Sequence, residues 1–262
     1  MSVASFQQAL CDLIASPGLC RALRAAPEDV MANYKLSARE RRRLVEAVWQ
    51  RGMSTNCSLY RSNRVTPLYT LLNGTCRSLG DQFGPLLERF WNSRNYQDGQ
   101  FQSEVERWAA FLRQRIADGT VCSPFTADLL EFELALNSLN FAPRKKILGE
   151  IADLPTPGLD TPCRLHPLAR IVRFRHDPVA LLEAAGQGKL NGELALSVIP
   201  EREAVVVLNA VDGDISVILL ADETRCVLCD GAGTTEPLTP RRAPALASAG
   251  LLVARVSELA ES

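Results

Sequence analysis

The side chains with the widest chemical reach in this 262-residue chain are eight cysteines: Cys11, Cys20, Cys57, Cys76, Cys122, Cys163, Cys226 and Cys229. They are joined by only two histidines, His166 and His176. Thiolates serve as nucleophiles and soft metal ligands. A structural zinc site needs two thiol pairs, or histidines at matching spacing. The chain has a single C-x-x-C, Cys226-Val-Leu-Cys229, with both histidines far upstream, a pattern that favours plain thiols over zinc. Cys11, Cys20, Cys76 and Cys122 have apolar neighbours and are expected as small core residues. Cys163 and His166 could form a nucleophile and its base, but a separation of three residues in a proline-rich loop gives the pairing little support. His166 and His176 with Asp177 could supply two imidazoles and a carboxylate to iron. Arg173 and Arg175 would repel a cation there, and Asp177-Pro178 also reads as a helix start. GxSxG, P-loop, GxGxxG and HExxH motifs are all lacking, and "DGAGTTE" at 230–236 reads as a turn. Catalysis by this chain alone is the weaker reading, and no catalytic, cofactor-binding or metal-ligating residue is assigned.

Binding chemistry is denser. In "CSLYRSNRVTPLYTLLNGTCRSLGDQF" (57–83), Tyr60, Arg61, Asn63 and Arg64 stand together at the start of an apolar run. Arg61 and Arg64 are three apart, which puts both guanidinium forks on one side of a helix. Such forks grip carboxylates or carbonyls in pairs. Asn63 and Thr66-Pro67 would cap the start of that helix. Two destinations remain open for the arginines: another protein, or internal carboxylates such as Asp81 or Glu131 that would tie the two halves of the chain together. The densest basic run, Arg39, Arg41, Arg42 and Arg43, reads as a solvated helix face balanced by Glu40 and Glu46 rather than as a nucleic-acid surface.

These residues need elements to place them, and the periodicity changes midway. Up to about residue 153 the apolar spacing is helical. Val3, Phe6, Ala9, Leu10, Leu13 and Ile14 make one stripe, and Pro17 and Pro27 suit first turns. Ser37 and Glu40 form a capping box for a helix that buries Leu44, Val48 and Trp49 and stops near Gly52. Gly80 and Gly84-Pro85 mark breaks, Gly119 a stop, and Ser123-Pro124 the start of the last helix. The spacing predicts a bundle of about six or seven helices. "LPTPGLDTP" (154–162) is a connector. Beyond it come short β-branched runs: a strand around Ile171–Phe174, then "GELALSVI", "EAVVVLNA", "DISVILLA" and "TRCVLCDG". A helix is expected at 178–186 and a short helix with an edge strand in "PRRAPALASAGLLVARV". The predicted class is α+β: a helical bundle over 1–153, then a smaller domain over 163–262 with a short antiparallel sheet.

Hydrophobic content of 47%, charged content of 23% and a formal charge of −1 fit a globular protein without a field that would gather nucleic acid or anionic membrane. The N-terminus does not read as a signal peptide, and no apolar run approaches a membrane span. The expectation is a cytoplasmic protein with reduced thiols and no nucleic-acid or membrane partner.

Three segments, taken in order, carry a family likeness: "CSLYRSNRVTPLYTLL" followed by "SLGDQFGPLLERFW", then "ADLLEFELALNS", then "LHPLARIVRFRHDPVALL" leading into the hairpins. This order resembles the MbnC-type partner proteins of ribosomal-peptide modification, and more loosely the HvfC-like proteins once described as DNA-binding. The likeness runs over about residues 57–256. The segment "LRAAPEDVMANYKLSARERRRLVEAV" is instead similar to the small helical subunit of LigAB-type extradiol dioxygenases. The MbnC resemblance implies a heterodimer with a TIM-barrel, iron-dependent oxidative enzyme that modifies cysteines of a short precursor peptide. Iron would reside in that partner and none in this chain. The role implied here is to stabilise the enzyme and hold the precursor's leader. A leader can add to an exposed sheet edge through main-chain hydrogen bonds. Ala204–Leu208, Ile215–Leu219 and Leu251–Arg255 are the candidate edges, with Val205, Val207, Ile215 and Val217 as contact residues. The alternative function is a DNA-binding regulator.

Overall fold

A computed structural model describes residues 3–92, 101–190, 199–220 and 238–255. The chain is α+β, with helices through the N-terminal part and two small antiparallel sheets in the C-terminal part. It divides into two compact units, residues 1–70 with 84–112, and residues 71–83 with 113–262. The 154–162 connector lies inside the second unit. No helix among the described residues is long and apolar enough to cross a membrane.

The first unit is built from α1 (Val3–Ala15), α2 (Pro17–Ala25), α3 (Pro27–Met31), α4 (Ala38–Ala47) and most of α5 (Arg51–Leu71), α7 (Phe83–Asn92) and α8 (Phe101–Ala117). Prolines set the first breaks. Pro17 and Pro27 open α2 and α3, with the Ser16 hydroxyl accepting the Leu19 N–H as an N-cap. Ser37 and Glu40 make the predicted capping box reciprocally: Glu40 N–H donates to the Ser37 hydroxyl, and the Ser37 N–H donates to the Glu40 carboxylate. Those Ser37 donors hold the Glu40 carboxyl below its usual range. One core joins Ala9 and Leu13 of α1, Cys20 and Leu23 of α2, Met31, Leu44 and Val48, and Met53 and Cys57 of α5. A second aromatic group stacks Trp108 on Phe111 with Phe90 edge-on.

The second unit contains α6 (Asn73–Ser78), a 3₁₀ turn (Gly80–Gln82), α9 (Thr126–Asn140), α10 (Arg144–Ala152) and α11 (Pro178–Gly186). One three-stranded sheet has the order β2 (Ala169–His176), β3 (Glu201–Asn209), β4 (Ser216–Leu219). A two-stranded sheet pairs β1 (Cys163–Leu165) with β5 (Leu252–Ala254), preceded by α12 (Pro244–Ser248). Alternation divides the larger sheet's faces. Val172, Phe174, Val206 and Leu208 pack with Phe125, which precedes α9, with Leu129 of α9 and with Leu181 of α11. Ala169, Val205 and Val207 pack the other way, with Leu246, Leu251 and Leu252.

Several expectations are corrected here. Ten helices rather than six or seven precede residue 153 among the described residues, because the proline and glycine breaks cut the first stretch into short pieces. α5 is one continuous helix with Pro67 inside it, so Asn63 and Thr66-Pro67 are interior residues and cap nothing. α9 starts at Thr126 with Phe125 before it, beyond Ser123-Pro124, and Gly84-Pro85 lies in the first turn of α7 rather than between helices. Trp49 is 66% exposed, stacked under the Arg24 guanidinium instead of entering the core. Cys20 and Cys76 are buried as expected, but Cys11 and Cys122 are exposed. The strands expected at "GELALSVI" and "TRCVLCDG", the turn at "DGAGTTE" and the Cys226–Cys229 pair lie outside the described residues or nearly so.

Candidate docking surface

The arginine cluster is explained by the stripe on which it sits. Met53, Cys57, Tyr60, Arg61, Arg64, Pro67 and Leu68 recur at helical spacing along α5, and Met53, Cys57, Pro67 and Leu68 are buried. Arg61 and Arg64 occupy the middle of that stripe, so their charges need partners within the unit. Arg61 donates through Nη2 to both Glu88 oxygens at 2.6 Å. Arg64 donates through Nε at 3.0 Å and Nη2 at 2.8 Å to Oε1 of Glu104. Trp91 lies beneath both guanidinium groups at 5.0 and 5.1 Å, and Tyr60 beneath Arg64 at 5.5 Å. The two arginines do share one side, as their spacing requires. Their acceptors are Glu88 and Glu104 of the same unit, however, and not Asp81 or Glu131. Glu131 pairs instead with Arg113, at 2.6 and 2.8 Å. Asn63 faces solvent.

The second predicted patch separates into dissimilar pieces. Val205 and Val207 belong to β3, which pairs with β2 on one side and β4 on the other. Both side chains are at most 3% exposed. Ala204–Leu208 is therefore the centre of a sheet and not an edge, because a β-branched run buried on both faces is what a central strand requires. The Leu251–Arg255 candidate contains β5, which pairs with β1 and is buried at all three positions. Only the Ile215–Leu219 candidate, containing β4, is an exposed edge strand. Its outer side has no strand partner among the described residues. Ile215 packs at the margin of the α9-side core, while Val217 and Leu219 are 53% and 46% exposed.

The opposite edge is blunted. Oδ2 of Asp128 accepts the backbone N–H of Arg175 at 3.0 Å and of His176 at 3.1 Å, where the β2–β3 register shifts. Arg170 folds its guanidinium back onto the carbonyls of Pro167 and Ala169. An edge strand capped in this way, by an α9 carboxylate and by its own Arg170, is closed to further pairing, and β4 carries no comparable cap among the described residues. The β3–β4 connection is fixed by Asn209, whose side-chain oxygen accepts the Val211 N–H, by Gly213 at φ 105°, and by a hydrogen bond from Arg144 to the Gly213 carbonyl.

The remaining reactive residues have structural work. The His166 ring accepts the Leu168 N–H through Nδ1 at 3.0 Å, and burial, reinforced by Arg164, holds its pKa below the usual value. The Cys163 thiol donates to the Thr161 carbonyl, and burial pushes it up, away from thiolate character. His176 is tied through Nδ1 to Asp128 at 2.8 Å, with the ring edge-on to Phe125. The two histidines thus answer to different partners. No group of three or more metal-ligating side chains forms among the described residues.

Apart from Glu131, sequence reasoning missed the polar residues of α9 and their partners. Thr126 hydrogen-bonds Ser78, Asp128 takes the β2 bulge, Glu131 takes Arg113, Glu133 caps α6 and Asn137 donates to the Leu71 carbonyl. Glu133 receives the Gly74 and Thr75 backbone N–H groups at 2.7 and 2.9 Å and the Thr75 hydroxyl at 2.6 Å, while burial raises its pKa. The available signal was a polar residue at nearly every turn of an otherwise apolar helix, which predicts internal partners. No family model matches this sequence, and the search of curated proteins finds no match to it.

Proposed function

We propose that this chain is a non-catalytic subunit that holds an extended peptide segment for a partner enzyme, with β4 as the docking edge. In the fuller form of the reading, the partner is a TIM-barrel iron-dependent oxidative enzyme. The peptide is the leader of a ribosomally made, cysteine-containing precursor. The observation that carries the proposal is the contrast between the two edges of one sheet: β2 closed by Asp128 and Arg170, β4 left with exposed Val217 and Leu219. A peptide added to β4 would take its affinity from main-chain hydrogen bonds and its selectivity from apolar side chains laid beside Val217 and Leu219. The likeness of three sequence segments to MbnC-type proteins supplies the enzyme class and the iron.

The test is co-expression with such an enzyme and a fluorescent leader peptide. The expected result is a 1:1 complex whose peptide affinity falls at least tenfold on Leu219→Pro or Val217→Asp, with the far-ultraviolet circular dichroism unchanged. Proteins that elute separately, or binding indifferent to both substitutions, would remove the proposal. The exposed Arg39, Arg42 and Arg43 at the start of α4 support a second reading, duplex binding by a regulator. That reading requires a gel shift that weakens steeply as salt rises.

A further inference from the structure

The carbonyl of Leu13 draws two thiols to one point. In a continuing helix this oxygen would accept the N–H of residue 17, but residue 17 is Pro17, which has none. The thiols of Cys20 and Cys57 fill the vacancy. Cys20 Sγ donates to Leu13 O at 3.1 Å, and Cys57 Sγ donates to the same oxygen at 3.6 Å. The first cysteine is on α2 and the second on α5, and 36 residues separate them in sequence. Both are at most 7% exposed and both belong to the core of the first unit. Their closeness is also felt electrostatically. Burial, then the charge and hydrogen bond of the Cys57 thiol, push Cys20 up to about 11.

We infer that Cys20 and Cys57 form an oxidisable dithiol, a modification site that closes to an intramolecular disulfide under a small two-electron oxidant of the peroxide class. In the first step one thiol, as its thiolate, attacks a peroxide oxygen. The O–O bond breaks, the sulfur becomes a sulfenic acid and hydroxide leaves. In the second step the neighbouring sulfur attacks that sulfenic sulfur, the S–O bond breaks, and the departing hydroxide takes the proton to leave as water. Two thiols and one hydrogen peroxide thus give one disulfide and two waters. The bond would fasten α2 to α5 beside the Arg61–Glu88 and Arg64–Glu104 pairs, turning a packed contact into a covalent one. The raised Cys20 pKa and the burial of both thiols make the reduced pair slow to react, so closure would follow sustained oxidant rather than a brief pulse. The exposed Cys11 and Cys122 are free thiols open to solvent, and they would end as sulfinic acids or mixed disulfides.

The experiment uses the full chain carrying Cys11→Ser, because Cys11 and Cys20 share the tryptic peptide 1–21. The protein is exposed to hydrogen peroxide, quenched with N-ethylmaleimide and digested without reductant. The expected product is peptide 1–21 joined to peptide 52–61, lighter than their sum by two hydrogens, in monomeric protein, and absent from a further Cys57→Ser variant. The oxidised form should melt higher by on the order of 5–10 °C and return to the starting value with dithiothreitol, as expected when a loop of this length is closed. Recovery of Cys20 and Cys57 as separate maleimide or sulfinic derivatives, or cross-links that fall on other cysteines, would overturn the inference. So would a linked product with a lowered Tm, because it would show that the bond forms only by distorting the helices.

Discussion

Removing the Arg64 side chain gives the sharpest test of how the first unit is held together. The Arg64 and Glu104 side chains are only 12% and 6% exposed, so this ion pair is desolvated. Arg64→Ala would take both guanidinium hydrogen bonds from Oε1 of the buried Glu104 carboxylate, while Arg107 stays 3.5 Å from Oε2. Breaking one side of a buried pair costs about 3–5 kcal/mol, most of it the stranded charge. Arg61→Ala removes a shorter contact, 2.6 Å against 2.8 Å, but its pair is 33% and 49% exposed. Solvent screening limits that loss, with the Trp91 stacking included, to about 1 kcal/mol. Trp49, Trp91 and Trp108 are all of the chain's tryptophans and all lie in the first unit, so intrinsic fluorescence during urea unfolding reports that unit selectively. With m of about 2–3 kcal/mol/M, Arg64→Ala should lower the midpoint by roughly 1–2.5 M and Arg61→Ala by less than about 0.5 M. Arg64→Met with Glu104→Leu should regain most of the loss, since the buried carboxylate is removed together with the guanidinium. Equal midpoints for the two single variants would refute the reasoning and return Arg64 to the list of surface residues free to grip another protein.

Two further outcomes concern the second unit. Glu133→Gln should cost about 1–3 kcal/mol, because an amide nitrogen cannot accept the donors of α6 that one carboxylate oxygen now takes. Burial raises the Glu133 pKa, so the stability linked to its proton is complete below the ordinary carboxylate range and is lost as pH rises through the raised value. Wild type should show that decline and Glu133→Gln should lack it in chemical denaturation followed by circular dichroism. Asp177→Ala should cost about 1 kcal/mol as a lost N-cap of α11. The Ala180 N–H, with help from Arg202 and Val179, depresses the Asp177 pKa. Its contribution is therefore present above the ordinary carboxylate range and should fade as pH falls through the depressed value, a dependence the variant should not show.

What the sequence determined by itself is local. Caps and breaks follow from side chains that act on their own backbone: the Ser37–Glu40 box, Pro17 and Pro27 at first turns, Asp177-Pro178 opening α11, and Gly119 at φ 72° ending α8. The change of period beyond residue 153 likewise announced the α+β class, because alternation and helical spacing are properties of short windows. The three-residue spacing that puts Arg61 and Arg64 on one side of a helix was also legible, whereas Pro67 inside α5 concealed how far that helix runs. Their acceptors were not legible. Glu88 lies 27 residues from Arg61 and Glu104 lies 40 from Arg64, and nothing local distinguishes those carboxylates from Asp81 or Glu131.

Only the tertiary structure decided which β-branched run is central and which is an edge. "EAVVVLNA" and "DISVILLA" look alike as windows, but pairing on both sides buries Val205 and Val207, while Val217 on β4 stays half exposed. The same holds for Cys20 and Cys57. Cys20 reads alone as a small apolar residue and Cys57 carries no local signal of a partner, and their meeting at the Leu13 carbonyl exists only because α2 and α5 pack on α1. Hydrogen bonds between neighbours in sequence are written in the chain, whereas those between distant segments depend on which surfaces the whole core brings together.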